Sequence, residues 1–391
     1  MNYQEALNAD LKIRIQCIQH AMQAKGNDAC VLATSVNIFY VTGCVYNGYC
    51  YIPAEGKPIH FVKRPQDINF ENTIFIRKPE QIAEELEKRN ISLPKNVLLE
   101  SDILPYSEYI RIANTLKIEN AANASVFMRQ IRSVKTEFEL VQVRKCARSH
   151  EAVYKQIPSV FHRGMTDIEL QIEIERLMRL HGSLGIFRSY GMNMDIYMGS
   201  LLTGENAEAA SPFDYALGGH GSNPVLPLGA SGVKIEEGQC IMVDMAGNYT
   251  PWMTDMTRVF SMGKTSELAY KAHEVSREIH AKIESIVKPG TACADLYNIA
   301  MDIVKNNDLE AYFMGTVQQA KFIGHGVGLE INEPPVLTPR SKEVLEPNIV
   351  FALEPKFVIP QVGAVGNENT LLVTETGVEK ITVFEENIIE L

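Results

Sequence analysis

Val243-Asp-Met-Ala-Gly-Asn-Tyr-Thr-Pro-Trp-Met-Thr-Asp-Met-Thr-Arg-Val-Phe260 is the stretch that decides the fold of the larger part of this chain. An apolar strand running from Cys240 carries Asp244 near its end, a turn from Gly247 to Trp252 follows, and Thr254 to Phe260 resumes strand character around Asp255. An antiparallel pair joined in this way brings both carboxylates to one place. Two buried acids repel each other, and each is costly to bury unpaired. A divalent cation between them removes both difficulties. Taken singly, either Asp beside such a turn reads more readily as a cap or turn residue.

Three further segments supply matching chemistry. Lys321-Phe-Ile-Gly-His325-Gly-Val-Gly328 flanks one histidine with glycines, which let the backbone bend tightly around the ring. No Lys-Ser/Thr follows, so the segment does not read as a phosphate-binding loop. Asn348-Ile-Val-Phe-Ala-Leu-Glu354-Pro interrupts an apolar strand with an acid, and Val362-Gly-Ala-Val-Gly-Asn-Glu368 places another at the start of the next strand. Alone, the histidine reads as a hydrogen-bonded structural residue and each glutamate as a salt-bridge partner. Together, Asp244, Asp255, His325, Glu354 and Glu368 form a hard, oxygen-rich set suited to Mn, Fe, Co or Zn, and two divalent ions balance four negative charges. Two ions about 3.5–4 Å apart share a hydroxide and polarise a carbonyl together, without a serine or cysteine nucleophile.

The chain of 391 residues is long for one hydrophobic core, which favours two domains. Its composition is that of a soluble globular protein, and its net charge of -11 gives no basic surface to follow a nucleic-acid backbone. No apolar run has the length of a signal peptide core or a membrane span. Seven scattered cysteines with no C-x-x-C fit reduced thiols, so a cytoplasmic location is expected.

In the first third, Leu11, Ile15, Ile18 and Met22 fall at helical spacing, and Ala29–Thr34, Ile59–Val62, Thr73–Ile76 and Asn96–Leu99 read as strands, with a charged helix over Gln81–Arg89. This alternation predicts an α/β domain over residues 1–125. Residues 126–391 open on a long helix behind the capping box of Thr136 and Glu139. His162-Arg-Gly-Met-Thr-Asp and Lys288-Pro-Gly-Thr-Ala-Cys each follow a long helix, start a second and precede glycine-rich loops and strands. This parallel order reads as an internal duplication with an offset of about 125 residues.

These segments resemble the pita-bread metallopeptidases: aminopeptidase P, prolidase, methionine aminopeptidase and creatinase. The match runs through VDMAGNYTPWMTDMTRVF (243–260), GHGVGLEINEPP (324–335), ALEP (352–355) and VGNENTLLV (365–373). Residues 18–43 resemble the creatinase/prolidase N-domain, and residues 128–153 the interdomain segment. The N-domain favours the Xaa-Pro peptidase branch. The resemblance implies an α/β N-terminal domain and an α+β pita-bread C-terminal catalytic domain. It also implies that Asp244 chelates one ion, His325 and Glu354 the other, and that Asp255 and Glu368 bridge both and hold the attacking water.

Four positions depart from the family pattern. Leu228, in Val225-Leu-Pro-Leu228-Gly229, and Asn332 stand where histidines are usual; Gly366 replaces an arginine and Lys356 a glycine. Asn332 is expected to give one hydrogen bond to an oxyanion. His220 is a candidate to compensate for Leu228, with a structural loop role as the alternative. Tyr249 and Trp252 are candidates to line the substrate pocket, with turn packing as the alternative. The leading expectation is an Xaa-Pro dipeptidase or aminopeptidase that loads two Mn ions (or Co, Zn or Fe), takes a small peptide or amide substrate and forms a homodimer. The second is a metal-dependent hydrolase or lyase of a non-peptide substrate. The third is a non-catalytic binding module.

Overall fold

The computed structural model describes residues 2–191, 195–213 and 216–391. It divides into two units, Met1–Arg132 and Ser133–Leu391.

The first unit contains α1 (Tyr3–Ala24), β1 (Ala29–Leu32), α2 (Ser35–Thr42), β2 (Asn47–Pro53), β3 (Ile59–Arg64), β4 (Thr73–Phe75), α3 (Gln81–Lys88), β5 (Asn96–Leu99), α4 (Tyr106–Leu116), β6 (Asn120–Asn123) and α5 (Ala124–Ser133). Asn2 and Glu5 form a capping box that starts α1. The strands form one sheet in the order β4-β3-β2-β1-β5-β6. Val31, Tyr49, Phe61, Val97 and Leu99 share a core with Ile82, Leu86, Ile112 and Leu116 from the helices. Helix α5 belongs here because Phe127 packs under Lys25 and the Arg132 guanidinium donates to Asn37.

The second unit contains α6 (Glu137–Tyr154), α7 (Ile157–Val160), α8 (Asp167–Leu180), β7 (Gly199–Thr203), β8 (Cys240–Gly247), β9 (Thr254–Ser261), α9 (Glu267–Ile286), α10 (Cys293–Asn306), β10 (Gly324–Gly326), β11 (Glu333–Val336), β12 (Val350–Leu353), β13 (Phe357–Ile359), β14 (Gly363–Val365), β15 (Glu368–Val373), β16 (Val378–Lys380) and β17 (Ile389–Glu390). Thr136 with Glu139 and Thr166 with Glu169 form capping boxes at the starts of α6 and α8.

The large sheet runs β11-β10-β12-β15-β9-β8-β7. Apart from the edge strand β11, its order is a palindrome about the β15–β9 pair, with β7-β8-β9 answering β10-β12-β15. The helix entries repeat as well. In the first half, Asp167 N–H donates to Val233 O and Ile235 N–H to Met165 O; in the second, Cys293 N–H donates to Glu343 O and Leu345 N–H to Thr291 O. These matched pairs are the structural form of the internal repeat.

Side chains alternate between the faces of a strand. Val243, Met245, Met256 and Phe260 pack against Val153, Tyr154, Leu170 and Ile174 of α6 and α8. Phe351, Leu353, Leu371 and Val373 pack with Ile279, Ile283, Leu296 and Ala300 of α9 and α10. The intervening positions, Asp244, Asp255, Glu354 and Glu368, take the opposite side of the sheet from the helices.

Two buried charge features bear on stability. Lys135 Nζ lies 3.0 Å from Glu333 Oε2, with both side chains out of solvent. Gly328 is needed beside this pair, since a Cβ there would meet Glu333 Oε2 at 2.3 Å. Removing one partner of a buried pair strands the other charge, so Lys135→Met is expected to lower unfolding free energy by about 3–5 kcal/mol in chemical denaturation.

His150 and His273 are buried and uncharged. Burial, reinforced by the Arg258 charge, pushes His150 down to about 3, and burial pushes His273 down to about 4, from an ordinary value of 6.5. At these two positions the unfolded chain binds more protons than the folded one once pH drops below about 6.5, so the stability they contribute is full above that pH and is lost progressively toward the folded values. In scanning calorimetry His273→Gln is therefore expected to lose less melting temperature between about pH 7 and pH 5 than the wild type does; parallel profiles would contradict it.

Candidate metal centre

The acids meet through strand register. Asp244 on β8 pairs with Thr257 on β9, and Thr257 pairs in turn with Glu368 on β15. Three side chains thus form a row across three strands. Asp255 lies two residues along β9, paired with Ala246. Thr257 Oγ1 donates to Glu368 Oε2 at 2.7 Å. The buried Arg258 guanidinium donates to Glu368 O at 2.9 Å and to Asn369 Oδ1 at 2.8 Å, which clamps β9 to β15.

His325 comes from β10, and Glu354 directly follows β12. His325 Nε2 is 3.1 Å from Glu354 Oε1 and 3.9 Å from Asp255 Oδ2. Its Nδ1 lies 3.1 Å from Gly326 O. A carbonyl can only accept, so Nδ1 carries the proton and Nε2 is the atom available to a metal. Asp255, His325 and Glu368 each offer a ligand atom within 4.8 Å of the other two. Among the described residues Glu368 Oε1 is buried with no hydrogen-bond partner, as expected of an oxygen placed to meet a cation.

A fifth charged group sits among the acids. Lys356, 2% exposed, directs Nζ at Asp244 Oδ2 at 2.8 Å, Glu354 Oε2 at 2.9 Å and Glu368 Oε2 at 2.9 Å. The residues therefore fit one ion on the Asp255, His325 and Glu368 side. They do not fit a second on the Asp244 side while Lys356 is in place, which runs against the expectation that Asp244 chelates an ion of its own. Residue types and spacing mark Lys356 only as a departure from the family pattern. The signal was present: a cation in the apolar run Phe351–Pro360 needs a buried acidic partner.

The electrostatics follow from this crowding. Burial alone would lower the Lys356 ammonium, but Asp244, Glu354 and Glu368 outweigh it and hold it well above the usual lysine range. Burial would raise Glu354, yet Lys356 and His325 hold it down at about 2. Burial and the Glu354 charge push Glu368 up to about 8, against the pull of Lys356. Burial, with Glu368 and Asp244, pushes Asp255 well above the carboxylate range. Burial opposes the charged form of His325, but Glu354 and Glu368 raise it overall.

A cavity opens over these groups, lined by Phe187, Ile196, Ser200, Leu217, Ile331 and Asn332 together with the acids and His325. Asn332 is at its wall, where it holds a loop: Nδ2 donates to Tyr190 O at 2.8 Å and Oδ1 accepts from Tyr190 N at 2.7 Å. The other three candidates for substrate contact lie elsewhere. Trp252 Nε1 donates to Glu139 Oε1 at 2.8 Å and its ring packs edge-on against Phe138, while Tyr249 packs beside His150, so the turn aims both rings at α6 rather than at the pocket. His220 is exposed on its loop, with its backbone N–H on Asn206 Oδ1 at 2.8 Å. Leu228 is buried, at 2% exposure.

Comparison with known proteins agrees with this architecture. Residues 141–375 match the model of metallopeptidase family M24, and residues 14–134 that of the creatinase/prolidase N-terminal domain. The Xaa-Pro dipeptidase of Pyrococcus furiosus is 26% identical over 97% of this chain and 100% of its own. That of Pyrococcus horikoshii is 25% identical over 96% of this chain and 98% of its own. The solved structure of an Xaa-Pro dipeptidase from Bacillus anthracis, 22% identical, superposes with a TM-score of 0.81 over 97% of this chain and 100% of its own. A palindromic sheet with its acids on one face and its helices on the other, preceded by a separate α/β unit, is the two-domain pita-bread architecture, and the chain belongs to metallopeptidase family M24.

Proposed function

We propose that this protein is a metal-dependent hydrolase of short peptides that cleaves the amide bond before proline. The observation that carries the reading is the meeting of Asp255, His325 and Glu368 ligand atoms at the floor of a partly apolar cavity. The full-length similarity to two archaeal Xaa-Pro dipeptidases supports the substrate class.

A bound divalent ion supplies a Lewis acid for the scissile carbonyl and an acidified water at neutral pH. The chain's own groups do the rest. His325 is fixed in orientation by Gly326 O and presents Nε2. Asp255 and Glu368, both withdrawn from bulk water, would hold the ion together with His325. Phe187, Ile196 and Ile331 give an apolar wall that suits a pyrrolidine ring. The oxygen-rich donors support Mn as the ion. The proposed assembly is a homodimer, and the proposed location is cytoplasmic, supported by seven unpaired cysteines.

A non-peptide amide as substrate is the second reading. Leu228, buried and without a proton to give, favours it.

Mn-loaded protein offered a dipeptide panel is expected to turn over Xaa-Pro members and to lose this turnover on chelation. Losing an outer partner of a metal ligand costs about 10–100-fold, so His325→Ala, which removes a ligand itself, is expected to lower kcat/KM by at least about 100-fold. Turnover confined to non-peptide amides would favour the second reading.

A further inference from the structure

The Lys356 ammonium has three N–H donors. Three carboxylates on three separate elements receive them, each within 2.9 Å: Asp244 on β8, Glu354 after β12 and Glu368 on β15. A head group held in this way occupies the volume, the oxygens and the electrostatic role of a cation. Its stem has little freedom to swing aside. The residue is 2% exposed, and its backbone N–H meets Met314 Sδ at 3.3 Å. Behind it lies Gly366, where an added Cβ would come within 2.9 Å of Lys356 Cα.

The other side of the cluster is different. Among the described residues Glu354 Oε1 and Glu368 Oε1 are buried without a hydrogen-bond partner, and Glu368 forms a ligand group with Asp255 and His325. Charge balance gives the same division. Four carboxylates, all ionised once a cation is bound, less one ammonium leave three negative charges. One dication reduces these to one. A second would turn the cluster positive and would take from Lys356 the oxygens that pay for its burial.

We propose that this protein holds one divalent ion per chain, on Asp255, His325 and Glu368, and that the Lys356 ammonium fills the place of a second. The inference rests on the metal-dependent reading above and narrows it. Asp244 becomes the partner of a lysine rather than a metal ligand.

The test is metal stoichiometry by mass spectrometry after dialysis against Mn2+, together with electron paramagnetic resonance of the loaded protein and the dipeptide assay. The wild-type chain is expected to retain one ion, with the six-line spectrum of an isolated Mn2+, and His325→Ala to retain none. Lys356→Gly is expected to retain two and to show the exchange-coupled spectrum of a pair. Two ions in the wild type would overturn the inference and leave the peptidase reading intact if Xaa-Pro turnover persists. No ion in the wild type would overturn it too, and the loss of all turnover in that case would sink the hydrolase reading as well. A folded Lys356→Gly variant that still holds one ion would show that the lysine does not exclude the second, which also overturns it. Should that variant fail to fold, the wild-type count and spectrum decide alone.

Discussion

Four carboxylates gathered on one side of a sheet repel one another, and the rest of the site answers that repulsion. Register creates the problem: Asp244, Thr257 and Glu368 stand side by side across β8, β9 and β15, with Asp255 next along. Desolvation sharpens it, because Asp255, Glu354 and Glu368 are each at most 7% exposed. The native state tolerates the cluster only because positive charge is built in beside it. Lys356 is the nearest such charge, and Arg258 braces the strand junction from behind the acids. Cation binding is therefore part of the folding balance of this region as well as of its chemistry.

Much of this was legible in the sequence because it depended on local pattern. Acids that break apolar strands announced Asp244, Asp255, Glu354 and Glu368, and a histidine between glycines announced His325. The structure brings all five together. The strand Asn96–Leu99 and the break at Lys288-Pro-Gly-Thr between α9 and α10 also follow from periodicity and breakers. In contrast, α2 begins directly after the strand signal of Ala29–Thr34 and is apolar on nearly every side, so it gives no helical stripe to read. The β2 strand has the same problem, with five consecutive buried residues from Gly48 to Ile52.

What the sequence left open concerns direction rather than residue type. Trp252 and Tyr249 lie between two candidate ligands in the chain, yet a turn can aim its side chains to either face of a sheet. Here the capping residue of α6, Glu139, accepts the indole N–H, and His150 receives the phenol ring. Asn332 posed a similar ambiguity, since an amide can serve a ligand or a loop with equal chemistry. Lys356 was hidden by its neighbours: two residues from Glu354 along an extended chain, it reads as a local salt bridge. Only the pairing of β12 with β15, β15 with β9 and β9 with β8 brings Asp244 and Glu368 to the same ammonium.

The internal repeat shows why one cation position is filled and the other open. The matched hydrogen bonds to residues 233 and 343, and the matched starts of β8 at Cys240 and β12 at Val350, align Asp244 with Glu354. Two residues beyond each acid the halves part company. The first half has Ala246, small, paired with Asp255 and lining the cavity. The second has Lys356, whose side chain crosses to the acids of both halves. A symmetric pair of strands would have two equivalent places for a cation. With alanine at one and lysine at the other, the geometry leaves room beside Asp255 and His325 and closes the space beside Asp244.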